Sequence, residues 1–143
     1  MDNLEEVLVE ILSKLYSRII YSEEKILKEM MGDTLSIKEL HTLEVVYTSM
    51  ASGNNTAGNI ASRLGITLGT LTTNVDRLSA KGLLHKVKHD SDRRVVYIEL
   101  TEKGKQVYTK HIAMHKKKIA TAIDKLSTTE KVALMNAVSK MEI

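Results

Sequence analysis

Between residues 56 and 101 the chain changes from helical to alternating periodicity, and that change restricts the fold more than any other feature. The segment reads TAGNIASRLGITLGTLTTNVDRLSAKGLLHKVKHDSDRRVVYIELT. Ile60, Ala61 and Leu64 give a first short helix its apolar face, and Gly65 supplies a turn. Leu71, Val75 and Leu78 then recur at helical spacing, with Thr67 placed as N-cap and Gly82 as the stop. Two β-like runs follow, over 84–88 and 94–100, around a charged tip at 89–93. In the second run Val96, Ile98 and Leu100 share one face, and Val95, Tyr97 and Glu99 share the other. The second helix shows Thr70, Thr73, Asn74 and Arg77 on the side away from its apolar stripe. A helix after a tight turn, buried on one side and rich in donors and acceptors on the other, has the form of a major-groove reader.

The flanking segments are helical. Leu4, Leu8, Ile11, Leu15 and Ile19 form a long apolar stripe, continued by Ile26, Leu27, Met30 and Met31 and ended at Gly32. Ser36 and Glu39 predict a capping box for a helix burying Ile37, Leu40, Leu43 and Val46, with a loop over 49–55. Thr101 caps a long helix through Val107, Met114, Ile119 and Ile123. Ser127 with Glu130 opens a last one through Leu134, Val138 and Met141. These end helices are too apolar for the small middle unit to cover, which predicts that residues 4–31 and 105–143 pack against a second copy of the chain.

Composition narrows the function. With 143 residues the chain makes one domain with room for a dimerisation extension. It has five Tyr but no Phe or Trp, so aliphatic side chains and methionine must fill the core. The absence of cysteine excludes disulfides and thiolate metal ligands. There is no run of ~18 apolar residues, and the acidic start Met-Asp-Asn-Leu-Glu-Glu is unlike a secretory leader, so a cytoplasmic location with no membrane contact is expected. No nucleophile–base pattern or phosphate-cradling glycine loop points to an enzyme.

Charge is uneven. The first thirty residues hold seven acids against four basic residues, whereas 81–94 carries Lys81, Lys86, Lys88, Arg93 and Arg94 against Asp90 and Asp92. Asp and Ser suit a hairpin turn, but two adjacent arginines at its tip need another reason. A basic finger beside a recognition helix can enter a minor groove, where negative potential is deepest over A·T sequence. Asp90 or Asp92 can orient such an arginine by a charge-assisted hydrogen bond.

At this point the chain resembles the MarR family of winged helix-turn-helix regulators. The marks are Ile66-Thr67-Leu68-Gly69-Thr70-Leu71-Thr72, Asp76-Arg77-Leu78, Lys81-Gly82-Leu83, Asp92-Arg93-Arg94 and Leu100-Thr101-Glu102-Lys103-Gly104. The resemblance implies a mainly α fold: a winged unit over 36–100 with a two-stranded β wing, and dimerisation helices over 1–31 and 102–143. It also implies a homodimer that binds double-stranded DNA, with the helix at about 67–80 in the major groove and the wing in the minor groove. The expected DNA-contacting set is Thr67, Gly69, Thr70, Thr73, Asn74, Arg77, Lys88, Asp92, Arg93 and Arg94, with Arg94 the minor-groove residue, Asp92 its support and Arg93 the alternate.

Within that family, Ser36-Ile37-Lys38-Glu39-Leu40-His41-Thr42 and Thr67-Leu68-Gly69-Thr70-Leu71-Thr72-Thr73, with Asp92-Arg93-Arg94-Val95-Val96, are similar to the FabT group of fatty-acid-synthesis repressors. Gly69 and Thr73 stand where the wider family often has a proline and a large basic residue. That similarity implies acyl-acyl carrier protein as corepressor, its acyl chain buried in the repressor.

The histidines suggest an alternative. His111 and His115 lie four apart on one helical face, a spacing that suits one metal ion. Zinc-sensing members of the family place ligands at positions matching His41, His111 and His115, completed by Glu23 or Glu24. The alternatives are therefore a zinc-responsive repressor and, from another class, a winged-helix module for protein contacts that reads no DNA. No cofactor is required by the leading reading.

Overall fold

The computed structural model describes residues 2–142 and shows a mainly helical fold with one two-stranded antiparallel sheet. In chain order the elements are α1 (Asn3–Met31), α2 (Ile37–Ala51), α3 (Ala57–Leu64), α4 (Leu68–Ala80), β1 (Leu84–His89), β2 (Asp92–Leu100), α5 (Glu102–Ile123) and α6 (Thr128–Val138). Local chemistry sets most boundaries. Thr56, Thr67 and Thr101 each accept a backbone N–H three residues on, at the starts of α3, α4 and α5. Ser36–Glu39 and Ser127–Glu130 form complete capping boxes. Gly65 closes α3 in the left-handed conformation, at φ 66° and ψ 33°, which lets the chain turn directly into α4.

The core lies under the middle unit. Leu43, Val46, Ile60, Leu71, Val75 and Leu78 are fully buried there, with Leu83, Leu84, Ile98 and Leu100 closing it from the wing side. Arg63 ties α3 to α2, donating to Ser49 Oγ at 2.6 Å, Thr48 Oγ1 at 3.0 Å and the Val45 carbonyl at 3.3 Å. This satisfies the fully buried Ser49 hydroxyl. Asn55, at the end of the predicted loop, is drawn onto the wing: its Nδ2 donates to Ile98 O at 3.0 Å, and Ile98 N donates to Asn55 O at 2.9 Å.

A short junction fastens α5 to the end of α4. Thr101 Oγ1 donates to Gly82 O at 2.6 Å, Thr101 N donates to Leu83 O at 3.1 Å, and Lys103 Nζ reaches Lys81 O at 3.2 Å. Gly104 lies against the Leu83 backbone so closely that a Cβ there would overlap the Leu83 carbonyl oxygen. Lys-Gly-Leu and Leu-Thr-Glu-Lys-Gly are thus two halves of one contact.

The terminal helices divide. Ile26 and Leu27 of α1, and Val107, Tyr108 and His111 of α5, are buried within the chain. The N-terminal part of the predicted stripe is open: Leu4, Leu8, Ile11 and Leu15 are exposed, as are Ile119 and Ile123 at the end of α5, whereas Met31 packs against the core. No residue of α6 is buried, and Val132, Leu134, Met135 and Val138 face outward. The two ends therefore present apolar surface that a single chain leaves uncovered.

An ion pair ties the same C-terminal end of α4 to the start of α2. Lys81 Nζ meets Glu39 Oε2 at 2.7 Å, while Ser36 N donates to Glu39 Oε1 at 3.2 Å. Burial pushes the Glu39 carboxyl up, but the bonds from Lys81 and Ser36 outweigh it and hold the group below its ordinary value of 4.5. A carboxyl whose pKa falls on folding adds stability above the unfolded value and loses it as pH drops through the folded one. Glu39→Gln should therefore flatten the loss of stability below about pH 4.5, while leaving the cap acceptor in place. Parallel acid-unfolding curves for the variant and the parent would remove Glu39 from the acid transition.

Candidate nucleic-acid interface

Helix α4 buries Leu71, Val75 and Leu78 and turns the opposite side outward. Thr67, Gly69, Thr70, Thr73 and Arg77 are exposed and Asn74 is half-buried, so the predicted reading face is a real surface. Its hydroxyls are held in place: Thr67 Oγ1 donates to Thr70 Oγ1 at 2.9 Å, and Thr73 Oγ1 donates to Gly69 O at 3.2 Å. Nothing stands within 4 Å of a Cβ built on Gly69, so packing does not demand glycine there. An open backbone in a helix's first turn allows close approach of another molecule. Leu68 adds an apolar group that sequence reasoning missed. Its spacing with Leu71 and Val75 puts it on the buried stripe, yet it is 55% exposed. An exposed leucine at the tip of such a helix suits a thymine methyl.

The wing departs from simple alternation. Strands β1 and β2 reach further than predicted, leaving only Asp90 and Ser91 in the turn. Lys88 pairs with Val96 but His89 pairs with Asp92, so Arg93, Arg94 and Val95 have no partner across the ladder. A bulge bends a strand and re-aims its side chains. Here it throws both arginines outward, while the His89 ring packs edge-on against Tyr97 at 4.3 Å. The alternation of residues 96–100 gives no sign of the bulge, because the extra residues precede it.

Each arginine is held by an aspartate. Asp92 Oδ1 accepts from Arg94 N and Arg94 Nε, both at 3.1 Å, and Asp92 Oδ2 accepts from Arg94 at 3.4 Å. The Arg94 side chain is nonetheless 91% exposed. Hydrogen bonds from the Arg94 side chain and backbone hold the Asp92 carboxyl below its usual range, so it stays ionised. Arg93 reaches Asp90 at 3.1 Å. A guanidinium fixed in orientation yet open to solvent loses less freedom on binding.

The other basic residues of 81–94 serve different ends. Lys81 belongs to the Glu39 pair, and Lys86 Nζ meets Asp76 Oδ1 at 2.7 Å, joining β1 to the outer face of α4. Among the described residues Lys88 is exposed and forms no ion pair, leaving it with Arg93 and Arg94 as wing cations. The sequence counted five alike; the structure separates three from two.

The predicted metal ligands lie between α1, α2 and α5. Glu23, His41 and His111 line a cavity of about 110 Å³ with Glu44 and Tyr108. His111 is 2% exposed, with Nε2 3.3 Å from the Glu23 carbonyl, and His115 Nε2 lies 3.7 Å from Glu23 Oε1. His41 faces solvent and meets Glu44 at 3.3 Å. Glu24, the alternative fourth ligand, lines a separate hollow with Lys28, Leu35 and Ser36, which leaves Glu23 on the histidine side. Among the described residues no group of three or more His, Asp or Glu side chains is arranged to hold one ion. The donors stand near one another without converging.

The comparisons with known proteins agree with this geometry. The model of the MarR family matches residues 35–96, the span from the α2 entry to the wing. The HTH-type transcriptional regulator YkoM of Bacillus subtilis is 33% identical over 105 residues, which cover 73% of this chain and 66% of YkoM. Among solved structures, Streptococcus pneumoniae FabT in complex with DNA superposes with a TM-score of 0.80 at 28% identity, covering 94% of this chain and 92% of FabT. A MarR family protein from Bacillus stearothermophilus matches with a TM-score of 0.79 at 20% identity, over 98% and 94% of the two chains, and shows the fold alone. The chain is a member of the MarR family of winged helix-turn-helix transcription regulators, and not an enzyme.

Proposed function

We propose that this protein is a homodimeric repressor of fatty-acid-synthesis genes, binding a palindromic A·T-rich operator with long-chain acyl-acyl carrier protein as corepressor. The observation that carries the DNA-binding part is Arg94, fixed by Asp92 and 91% exposed, on a wing that the Lys86–Asp76 pair joins to α4. The uncovered apolar faces of α1 and α6 support the dimer, because two such units side by side present two recognition helices to two half-sites. The fatty-acid part rests on similarity to FabT, whose structure was solved with DNA.

Two measurements test this reading. If the dimer makes six to eight phosphate contacts, log affinity should fall against log salt with a slope of about −5 to −7. A flat salt dependence, or full affinity in a monomer, would leave the protein-contact alternative in its place. For the ligand, operator affinity should rise with long-chain acyl-acyl carrier protein and not with the unacylated carrier. It should climb with chain length, since each buried CH₂ is worth about 0.8 kcal/mol before costs. Equal affinity with and without the acylated carrier would discard the corepressor.

A zinc-responsive repressor is the second reading, favoured by one observation. His111 Nδ1 and His115 Nδ1 are both buried without a hydrogen-bond partner among the described residues. The reading requires His41 to leave Glu44 and turn toward them. One retained zinc per chain after dialysis, lost in His111→Ala, is its expected result; no retained zinc removes it.

A further inference from the structure

The start of α4 offers fewer hydrogen-bond donors than its residues suggest, because most of its hydroxyl protons are already engaged. Thr72 Oγ1 donates to Leu68 O at 2.9 Å, and Thr73 Oγ1 donates to Gly69 O at 3.2 Å. Thr67 Oγ1 donates to Thr70 Oγ1 at 2.9 Å and accepts from Thr70 N at 3.1 Å. A hydroxyl carries one proton, so Thr72 and Thr73 keep only acceptor lone pairs for another molecule. Both are exposed, one turn after Leu68. Leu68 itself is the apolar exception on this surface. Among the described residues of 35–100, Tyr47 and Leu68 are the large apolar side chains more than a third exposed, and the others belong to α1, α5 and α6. Tyr47 packs on the Tyr108 ring at 4.8 Å. Leu68 is 55% exposed, and the hollow of about 230 Å³ that it lines with Leu71, Thr72 and Val96 stays open beside it. Packing within the chain therefore leaves this leucine unused.

We propose that Leu68, Thr72 and Thr73 determine sequence specificity by reading T·A pairs in the major groove, an inference that rests on the A·T-rich operator reading above. Leu68 covers a thymine 5-methyl group, and a threonine oxygen accepts from the adenine N6 amino group. The chemistry of the bases leads to this pair. Guanine shows only acceptors in the major groove, so a hydroxyl without a free proton repels it. Adenine and cytosine both show an amino donor, but only the adenine pair brings a methyl group on its partner base. An acceptor beside an apolar side chain therefore matches one pair of the four. The wing cannot supply the same information, because A·T and T·A present the same acceptors in the minor groove. Arg94 senses that a stretch is A·T-rich, whereas Leu68 and the threonines fix which strand carries the thymine. Two half-sites can be placed head to head only when that direction is read.

The test uses the full-length protein and the operator duplex that it selects from a random pool. Deoxyuridine replaces thymidine one position at a time, which removes a single methyl group and keeps the base pairing. One position in each half-site should be sensitive, with affinity falling roughly fourfold per methyl, the factor that a buried group of that size contributes. Leu68→Ala should bind more weakly and no longer distinguish thymidine from deoxyuridine there. Leu68→Met, which keeps an apolar contact, should retain the distinction, and Arg94→Ala should bind more weakly with the parent's ratio unchanged. Purine in place of the adenine opposite that thymidine removes the N6 amino group. The parent should lose affinity for it, and Thr72→Val or Thr73→Val should be indifferent to the change. Equal affinity for thymidine and deoxyuridine at every position overturns the methyl contact while the A·T-rich operator stands. A deoxyuridine effect undiminished in Leu68→Ala overturns the assignment to Leu68, and a purine effect undiminished in both valine variants overturns the threonine part. A selected site that is not A·T-rich overturns the operator reading itself.

Discussion

Gly104→Ala should lower stability by about 3 kcal/mol, the upper end for an overpacked core, although only one methyl group is added. Elsewhere in a helix the same change gains about 1 kcal/mol, because alanine favours helix more than glycine. At Gly104 the added Cβ would meet backbone, overlapping the Leu83 carbonyl oxygen and lying 3.1 Å from its carbonyl carbon. Leu83 O also accepts from Thr101 N, so it cannot move without breaking the junction. Overlap wins over propensity. Gly58→Ala in α3 is the matched control, with nothing within 4 Å of the new Cβ, and should be neutral or slightly stabilising. Urea midpoints for both variants read the difference, and equal midpoints would show that the Leu83 contact has slack. The damaged junction should also loosen the recognition helix, so Gly104→Ala should lose operator affinity at temperatures where it remains folded.

Arg94→Ala should weaken operator binding by roughly 1–3 kcal/mol without changing stability. The side chain is 91% exposed and its bonds run only to Asp92, so the core does not register its loss. Asp92→Ala should cost less, since the guanidinium remains but must be ordered on binding. Arg77→Ala should act evenly across DNA sequences if that residue holds phosphate, whereas Arg94→Ala should blunt the preference for A·T tracts. Gel shifts on matched A·T-rich and G·C-rich duplexes separate the two. Unchanged operator affinity in Arg94→Ala would move the minor-groove role to Arg93, held by Asp90.

The sequence by itself determined the helix starts and stops, and with them the helix-turn-helix. Thr67, Thr101, Ser36–Glu39 and Ser127–Glu130 act within three residues of themselves, and the Gly65 turn acts within its own segment, so their effects can be read along the chain. The outward face of α4 was legible for the same reason: period and residue type fix which side is polar.

Burial was decided by tertiary structure, because it depends on residues far away in sequence. Leu4 and Ile26 share one stripe in α1, but Ile26 is buried within the chain and Leu4 is exposed. Leu68 shares the stripe of Leu71 and is more than half open. Glu23 and Glu24 are neighbours that line different hollows, since a helix turns about 100° per residue. Lys81 and Lys86 look like part of the basic wing until Glu39, 42 positions away, and Asp76, ten positions away, claim them. Gly104 reads as a weak point in a helix, and only the approach of the Leu83 backbone makes it necessary. Periodicity and capping are short-range and leave a record in the order of residues, whereas a contact between distant segments becomes visible only once the chain has closed on itself.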